Sequence, residues 1–474
     1  MNVTIIIPPK VNGEWVARED KHIGAGPKII IPRTAQTLAA ILDGIEGVDL
    51  SLIDAQIEDL DVSGVKERCQ ELKPDLIITY LSALHIPWDR KCAELGYPTI
   101  GIIVHQNIDH LEAVQLYNLV TPFICKNEIE FTVAEGVREF MHSGEISATP
   151  GFLIRENSAW KDTGEPPLED MEFLPEPYSP LFDVDRYIAA REASPGISSP
   201  RAFNINTSRG CLFNCLFCGQ SNQGQRIRTQ SPKKVLKTIK LYRDKFNIRL
   251  FAFVDNEFAI DMKRAKAICR LLIEEDLGIE FIIQNRVELF DEELLDLLKE
   301  AGCNNIRLGI ETCDPKTQKF INKPLDLDKA QLLASQIKAR GFTLHMYMTP
   351  GIPGETLGTL WMNAGFLAKT DPDTYSSGPL FLMPGSRFYK QLKSNGELLN
   401  KDWSTYLNAL PFHHERYPDR RSMLMAKKVM HLFYVIRRLK RRLFSGTLNK
   451  GDLVEAGKFF RYFILKVLIR GAVR

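Results

Sequence analysis

Apolar positions in this chain fall mostly in short unbroken runs, with amphipathic stretches between them. In residues 1–150 the runs are VTIIIP (3–8), VDLSLID (48–54), DLIITYL (75–81), YPTIGIIV (97–104) and VTPFIC (120–125), all rich in β-branched residues. AQTLAAILDGI (35–45) and VSGVKERCQEL (62–72) lie between them with helical spacing. A strand apolar on both sides is covered on both faces, so the alternation predicts a five-stranded, doubly wound parallel sheet. Ligands of such sheets bind at the carboxyl ends of the strands.

Residues 151–200 break this pattern. DTGEPPLEDMEFLPEPYSPLF is rich in Pro and Glu, which predicts an extended connector. A second alternation starts at Arg201. Its predicted strands are 202–208, 249–255, 279–285, 305–311, 342–348 and 374–382, with helices over 231–246, 261–276, 291–302, 327–341 and 356–370. The expected fold is therefore α/β throughout. It comprises a Rossmann-like sheet in 1–150, the connector in 151–200, a partial (β/α)6 barrel in 201–395 and a basic helical region in 396–474.

Composition refines this picture at two points. The nine cysteines are scattered apart from one group, and Met1-Asn2 runs straight into an apolar strand with no basic leader segment. No apolar run approaches the ~20 residues that span a bilayer. Free thiols in a reducing cytoplasm are expected. Charge is also uneven: residues 419–474 carry 15 Lys and Arg against 3 Asp and Glu, a net +12, which leaves residues 1–418 at −10. Within Val429–Phe444, apolar residues recur at 429, 432, 433, 436, 439 and 443, while Lys427, Lys428, Arg437, Arg438, Lys440, Arg441 and Arg442 fall on the other face. Three readings are open: a helix packed on the barrel, a basic amphipathic helix in peripheral contact with a membrane and hence a lipid-like substrate, or binding of nucleic acid or a phosphorylated substrate. No interleaved aromatic platform is present, which disfavours nucleic acid.

The candidate chemistry lies in SRGCLFNCLFCGQ (208–220), directly after the first barrel strand. Cys211, Cys215 and Cys218 are spaced C-x3-C-x2-C. Structural zinc takes four ligands, usually as two close pairs, and the nearest His pair, His413-His414, is far off in sequence. An iron–sulfur cluster takes one thiolate per iron, so three thiolates on a 4Fe–4S cluster leave one iron open to bind and activate a ligand. The loop after a barrel strand is the catalytic face.

This spacing on a short barrel resembles the radical S-adenosylmethionine superfamily. The resemblance implies a 4Fe–4S cluster on Cys211, Cys215 and Cys218, S-adenosylmethionine on the open iron, and an electron donor such as flavodoxin or ferredoxin. One electron would then cleave the cofactor to a 5′-deoxyadenosyl radical that takes hydrogen from a substrate. It further implies Phe217 near the adenine, and Asp255, Asn256 and Glu257 at the ammonium. Arg286 would sit at the carboxylate and Glu311 at the ribose, with Gly351, Pro353 and Gly354 (in MTPGIPGET) backing the adenine.

The N-terminal sheet, the connector LPEPYSPLFDVDRY (174–187) and FLMPGSRFYKQL (381–392) resemble the branch with a cobalamin-binding domain. The resemblance then implies cobalamin-dependent C-methylation of an unactivated carbon of a small molecule. Two departures stand against it. The Asp-x-His-x-x-Gly signature is absent, Asp109-His110-Leu111 being its nearest match, and GIIVHQNIDH (101–110) lacks the expected Gly-Gly pair. His105 is open between a metal ligand, a neighbour of the corrin and an ordinary loop residue. His85 and Trp88 fit either a lower corrin face or rim packing. The alternatives are a cobalamin-free radical dehydratase, cyclase or carbon–carbon-forming enzyme, and a tRNA methylthiotransferase whose second cluster would draw on Cys69, Cys92 and Cys125.

Overall fold

The computed structural model describes residues 1–18, 29–104, 107–194, 197, 199–220, 226–448 and 450–463. The first sheet comprises β1 (Asn2–Ile7), β2 (Asp49–Asp54), β3 (Leu76–Ser82), β4 (Thr99–Val104), β5 (Phe123–Cys125), β6 (Phe152–Glu156) and β7 (Ala159–Asp162). Its order is β2-β1-β3-β4-β5-β6-β7. Every residue of β3 and β4 is buried, which is why those runs do not alternate. The covering helices are α1 (Arg33–Leu42), α2 (Val62–Leu72), α3 (Ile86–Ala93), α4 (His110–Leu116) and α5 (Glu130–Ser143). Leu38 of α1 and Val133 of α5 share one buried cluster with Val3 and Ile5, whereas Val65 and Cys69 of α2 share another with Ile6 and Ile77. The sheet is thus doubly wound. β1 pairs with β2 on one side and β3 on the other, so the strand order reverses there and the crevice lies at their carboxyl ends.

The five expected strands are seven. β6 and β7 pair antiparallel around Asn157 and Ser158, whose φ angles of 47° and 70° suit a tight two-residue hairpin turn. This hairpin opens the segment read as an extended connector, and α6 (Val184–Glu192) lies near its end.

The second sheet takes β8 (Ala202–Ile205), β11 (Leu250–Phe253), β12 (Glu280–Asn285), β13 (Cys303–Glu311), β14 (Thr343–Met348) and β15 (Thr374–Ser377), with a two-stranded ladder of β9 (Ser208–Arg209) and β10 (Arg228–Thr229) beside it. All pairs in the six-stranded sheet are parallel. Intervening helices are α7 (Pro232–Phe246), α8 (Met262–Glu275), α9 (Glu292–Glu300), α10 (Pro315–Phe320), α11 (Leu327–Ala339) and α12 (Leu357–Thr370). After β15 come α13 (Arg387–Ser394), α14 (Arg420–Phe444) and α15 (Lys450–Phe463). Six βα units match the expected partial barrel.

α14 packs along α12, burying Met423, Ala426, Met430, Tyr434 and Val435. This is not the expected stripe, since Ile436 and Leu443 are exposed. The helix starts earlier than the pattern suggested, and its basic residues have specific work. Arg438 and Arg442 bind Asp371 at 3.1 and 3.0 Å, and Arg441 donates to the carbonyls of Ala368 and Lys369. These cations neutralise the carbonyl end of α12. Arg437 lies over the Trp361 ring at 4.1 Å. Packing on the barrel therefore accounts for much of the basic face. No helix among the described residues is long and apolar enough to cross a membrane.

The two sheets are joined by a buried ion cluster. Arg209 meets Glu128 at 2.9 Å and Glu169 at 3.0 Å, and also pairs with Glu130; Arg228 reaches Glu128 at 2.6 Å. Burial pushes Glu130 up, but the charge and hydrogen bond of Arg209 and a hydrogen bond with Glu169 together outweigh it and hold Glu130 at about 2. Burial and the neighbouring Glu130 push Glu169 to about 10, so Glu169 keeps a proton that the unfolded chain releases. Stability from that proton is present below the ordinary carboxylate pKa and is lost as pH rises toward the folded value. Urea titrations should show folding stability falling with pH above the carboxylate range, by at most ~1.4 kcal/mol per unit for one proton. Glu169→Gln, which mimics the protonated acid, should flatten that dependence.

Candidate functional site

The cysteine loop is clamped before it begins. Asp255, fully buried just past β11, accepts hydrogen bonds from Thr207 N (2.7 Å), Thr207 Oγ1 (2.6 Å) and Ser208 N (2.6 Å). β9 pairs with β10, so both ends of the segment 210–227 are held together. Gly210 has φ of 91°, and a Cβ there would lie 3.1 Å from the Arg226 carbonyl oxygen, so the turn requires glycine. Farther along, Leu216 N donates to the Ile321 carbonyl at 2.8 Å, and Phe388 N donates to the Leu216 carbonyl at 2.9 Å.

Cys215 is buried, and Cys211 and Cys218 are partly buried. Burial pushes the Cys211 thiol to about 11 and the Cys218 thiol to about 12, and raises Cys215 too. Cys218 feels both other sulfurs, so the three share one locus. Among the described residues no group of three or more His, Cys, Asp or Glu side chains would hold a single metal ion. Three thiols at one locus fit a 4Fe–4S cluster, whose irons each take one thiolate, better than structural zinc, which takes four ligands. Binding would release the thiol protons.

The thiols open into a cavity of about 1600 Å³. Phe217, Asn256, Glu257, Arg286 and Glu311 line it beside the cysteines. Asn256 Nδ2 donates to the Gly210 carbonyl at 2.9 Å. Glu257 accepts from Arg286 N, and burial pushes its carboxyl to about 7, partly countered by Lys323. A cationic ligand beside Glu257 would favour its ionised form. The Arg286 fork is occupied by Glu288, at 2.9 and 3.2 Å, while its Nη1 lies 3.6 Å from Cys215 Sγ and its guanidinium covers Phe213 at 4.0 Å.

Glu311 adopts φ of 62°, a left-handed conformation rare outside glycine, at a register shift in β13. Its carboxylate accepts from Lys323 Nζ at 3.0 Å and Thr349 Oγ1 at 2.6 Å. Lys323 was not foreseen. Burial lowers its pKa, yet Glu311, Cys215 and Glu257 outweigh burial and raise it. It is the cation at the centre of the site, and it stands in a turn, INKPL, with no motif to mark it.

Four of the expected cofactor residues lie elsewhere. Asp255 does not line the cavity, because its carboxylate is spent on the loop. Nor do Gly351, Pro353 and Gly354. A Cβ at Gly351 would come 2.6 Å from Met423 Cγ, so the close approach there is to α14.

The carboxyl ends of the first sheet turn toward this site. Asn107 Nδ2 donates to the Gly219 carbonyl at 2.7 Å, next to Cys218. A Cβ at Gly385 would lie 2.3 Å from the Asn107 carbonyl oxygen, so the Pro-Gly-Ser stretch seats directly on the loop after β4. Ile29, Ile30 and Ile31, between β1 and α1, line the cavity. Ile29, Ile31, Leu84 and Ile108 share one buried apolar cluster with the barrel. His85 Nδ1 lies 3.1 Å from Ser82 Oγ, its ring 6.1 Å from that of Trp88, and neither residue lines the cavity. His110 is buried, and burial pushes it down to about 4. His105 lies outside the described residues. Cys69, Cys92 and Cys125 are buried in apolar clusters, the first two apart from the third, so they do not assemble a second cluster site.

Residues 205–367 match the family model described as the radical SAM superfamily. An uncharacterized methyltransferase of Pyrococcus horikoshii is 26% identical over 445 residues, covering 90% of each chain. The anaerobic magnesium-protoporphyrin IX monomethyl ester cyclase of Rubrivivax gelatinosus is 24% identical over 83% of this chain and 71% of its own. Among solved structures, the radical S-adenosylmethionine methyltransferase TsrM from Kitasatospora setae, with cobalamin and a 4Fe–4S cluster bound, superposes with a TM-score of 0.66 at 17% identity, over 83% of this chain and 75% of that chain. The cobalamin-dependent radical enzyme OxsB, with aqua-cobalamin and S-adenosylmethionine bound, gives 0.71 at 14% identity, over 99% and 72%. Three thiols clamped at the mouth of a six-stranded barrel coincide with that family match, so residues 205–367 form a radical SAM domain.

Proposed function

We propose that this enzyme methylates an unactivated carbon of a small molecule using a 4Fe–4S cluster, S-adenosylmethionine and cobalamin. One observation carries the reading: a large cavity is lined both by the cysteine loop and by Ile29–Ile31, which follow β1 of the first sheet. Drug-sized ligands fill roughly 300–1000 Å³, so this space has room for more than one ligand. The names of the relatives and solved neighbours support it. When bound, the cluster and S-adenosylmethionine supply a 5′-deoxyadenosyl radical, and cobalamin supplies a transferable methyl group.

The chain's own residues do the rest. Cys211, Cys215 and Cys218 hold the cluster, and Lys323 and Arg286 Nη1 place positive charge beside Cys215. Asn256 and Glu257 offer an acceptor pair for the cofactor's ammonium. Glu311, held by Lys323 and Thr349, accepts from ribose hydroxyls, and Phe217 packs on the adenine. Ile29, Ile31, Leu84 and Ile108 form an apolar bed suited to a corrin face. In this reading residues 1–150 are the cobalamin unit and 201–395 the radical barrel, joined by 151–200 and followed by the helical region 396–474. A flavodoxin or ferredoxin delivers the electron.

Anoxic purification with cobalamin supplied should give protein with both iron–sulfur and corrin absorbance, and dithionite should then release 5′-deoxyadenosine from S-adenosylmethionine. Iron without a corrin band would sink the methyl transfer and favour a cobalamin-free radical reaction. Absence of both would sink the reading whole.

A further inference from the structure

The cavity has a second end, away from the thiols, and its chemistry differs. Strand register sets it out. Arg307 of β13, His345 of β14 and Thr374 of β15 share one level of the sheet, with His345 Nδ1 2.7 Å from Thr374 Oγ1. Glu311 lies four residues beyond Arg307, so this level is about 13 Å below the cofactor end at ~3.3 Å per residue. Beside β15, α14 closes the wall. Lys427, Lys428 and His431 line the cavity from that helix, and His431 Nδ1 pairs with the Tyr375 hydroxyl.

Charge divides the cavity in two. Among the described residues its lining contains two carboxylates, Glu257 and Glu311, and both stand at the cofactor end. Lys323 and Arg286 have partners there, and Arg191 is bonded to the carbonyls of Ala202 and Ser199. Arg307, Lys427 and Lys428 face the cavity with no carboxylate partner among the described residues. Arg307 comes from the acidic body, whose residues 1–418 carry a net −10, and Lys427 and Lys428 come from residues 419–474, which carry a net +12. A lining of one sign draws ligands of the other. Tyr347 lines the wall between the two levels, Phe213 and Phe217 line it beside the cysteines, and Ala252 and Ile282, in register with Asn305, line it just beyond Arg307.

We infer that the substrate is an amphiphilic oxyanion whose phosphate, phosphonate or carboxylate group docks on Arg307, Lys427 and Lys428, with an apolar segment reaching toward the thiols. The reacting carbon is then several bonds from the anionic group. This rests on the proposed radical reaction for the identity of the ligand as substrate, but its test does not need turnover.

The probes are octyl phosphate, octanoate and octanol, titrated onto the anoxically reconstituted full-length protein. Both anions should bind at least ~10-fold more tightly than the alcohol, since charge-assisted hydrogen bonds are worth that much. The tighter anion identifies the oxyanion. Lys427→Glu with Lys428→Glu should erase the preference, and Arg307→Gln alone should weaken the anions about 10-fold while leaving octanol binding unchanged. Iron–sulfur absorbance checks that each variant is folded, and Arg307→Gln decides if the double variant is not. Octanol binding as tightly as the anions, or anion binding unmoved in a folded variant, would overturn the inference. Anion preference without S-adenosylmethionine cleavage would sink the proposed reaction and leave this wall standing; cleavage without preference would do the reverse.

Discussion

Arg209→Met is expected to destabilise the protein by roughly 3–5 kcal/mol, the cost of stripping the partner from a buried ion cluster. Arg209 is the shared partner of Glu128, Glu130 and Glu169, all buried. Glu169 already carries a proton, but Glu128 and Glu130 would be left with Arg228, which reaches Glu128 alone. Glu130 would then have no cation and Glu128 only Arg228, and carboxylates so placed in a dry interface take up a proton or draw in water. The loss should appear in urea unfolding as a lower midpoint and should grow at higher pH. A variant matching the wild type to within ~1 kcal/mol would show the cluster to be solvated.

Cys218→Ala is expected to remove the iron–sulfur absorbance and reduce S-adenosylmethionine cleavage to background, while urea stability changes little. The three thiols are held neutral by burial, so folding does not depend on them as anions. Their loss should be felt in the cluster, where two remaining thiolates leave two irons without protein ligands. The contrast with Arg209→Met separates a chemical residue from an architectural one only nine positions away. Wild-type absorbance in Cys218→Ala would mean that the cluster sits elsewhere.

Much of this was legible in the chain. The strand–helix alternation carries its own length and periodicity, so the parallel strands of both sheets followed from it. The thiols were legible because their chemistry demands close spacing. What escaped depends on contacts between distant segments. Nothing in the run around Asp255 says whether its carboxylate faces a cofactor or the backbone of Thr207 and Ser208. Gly351 signals a close approach but not to which partner, and that partner is Met423. Lys323 has no local signature, since its role exists only once Glu311, Glu257 and Cys215 surround it. The hairpin at Asn157-Ser158 was masked by the Pro- and Glu-rich composition just after it.

The barrel has six strands and is not closed, so β8 and β15 are both edges of their sheet. An open edge is a template for pairing with another chain. β15 spans four residues, and α14 lies against it, with the Tyr434 ring 5.1 Å from that of Tyr375. On the opposite edge, Arg191 occupies the Ala202 carbonyl. α14 thus packs its Tyr434 and His431 rings against the Tyr375 side chain of this edge strand, and charged side chains beside a sheet edge disfavour pairing with another strand. The helix that shapes one end of the cavity also lies against one of the two edges of the half-open barrel.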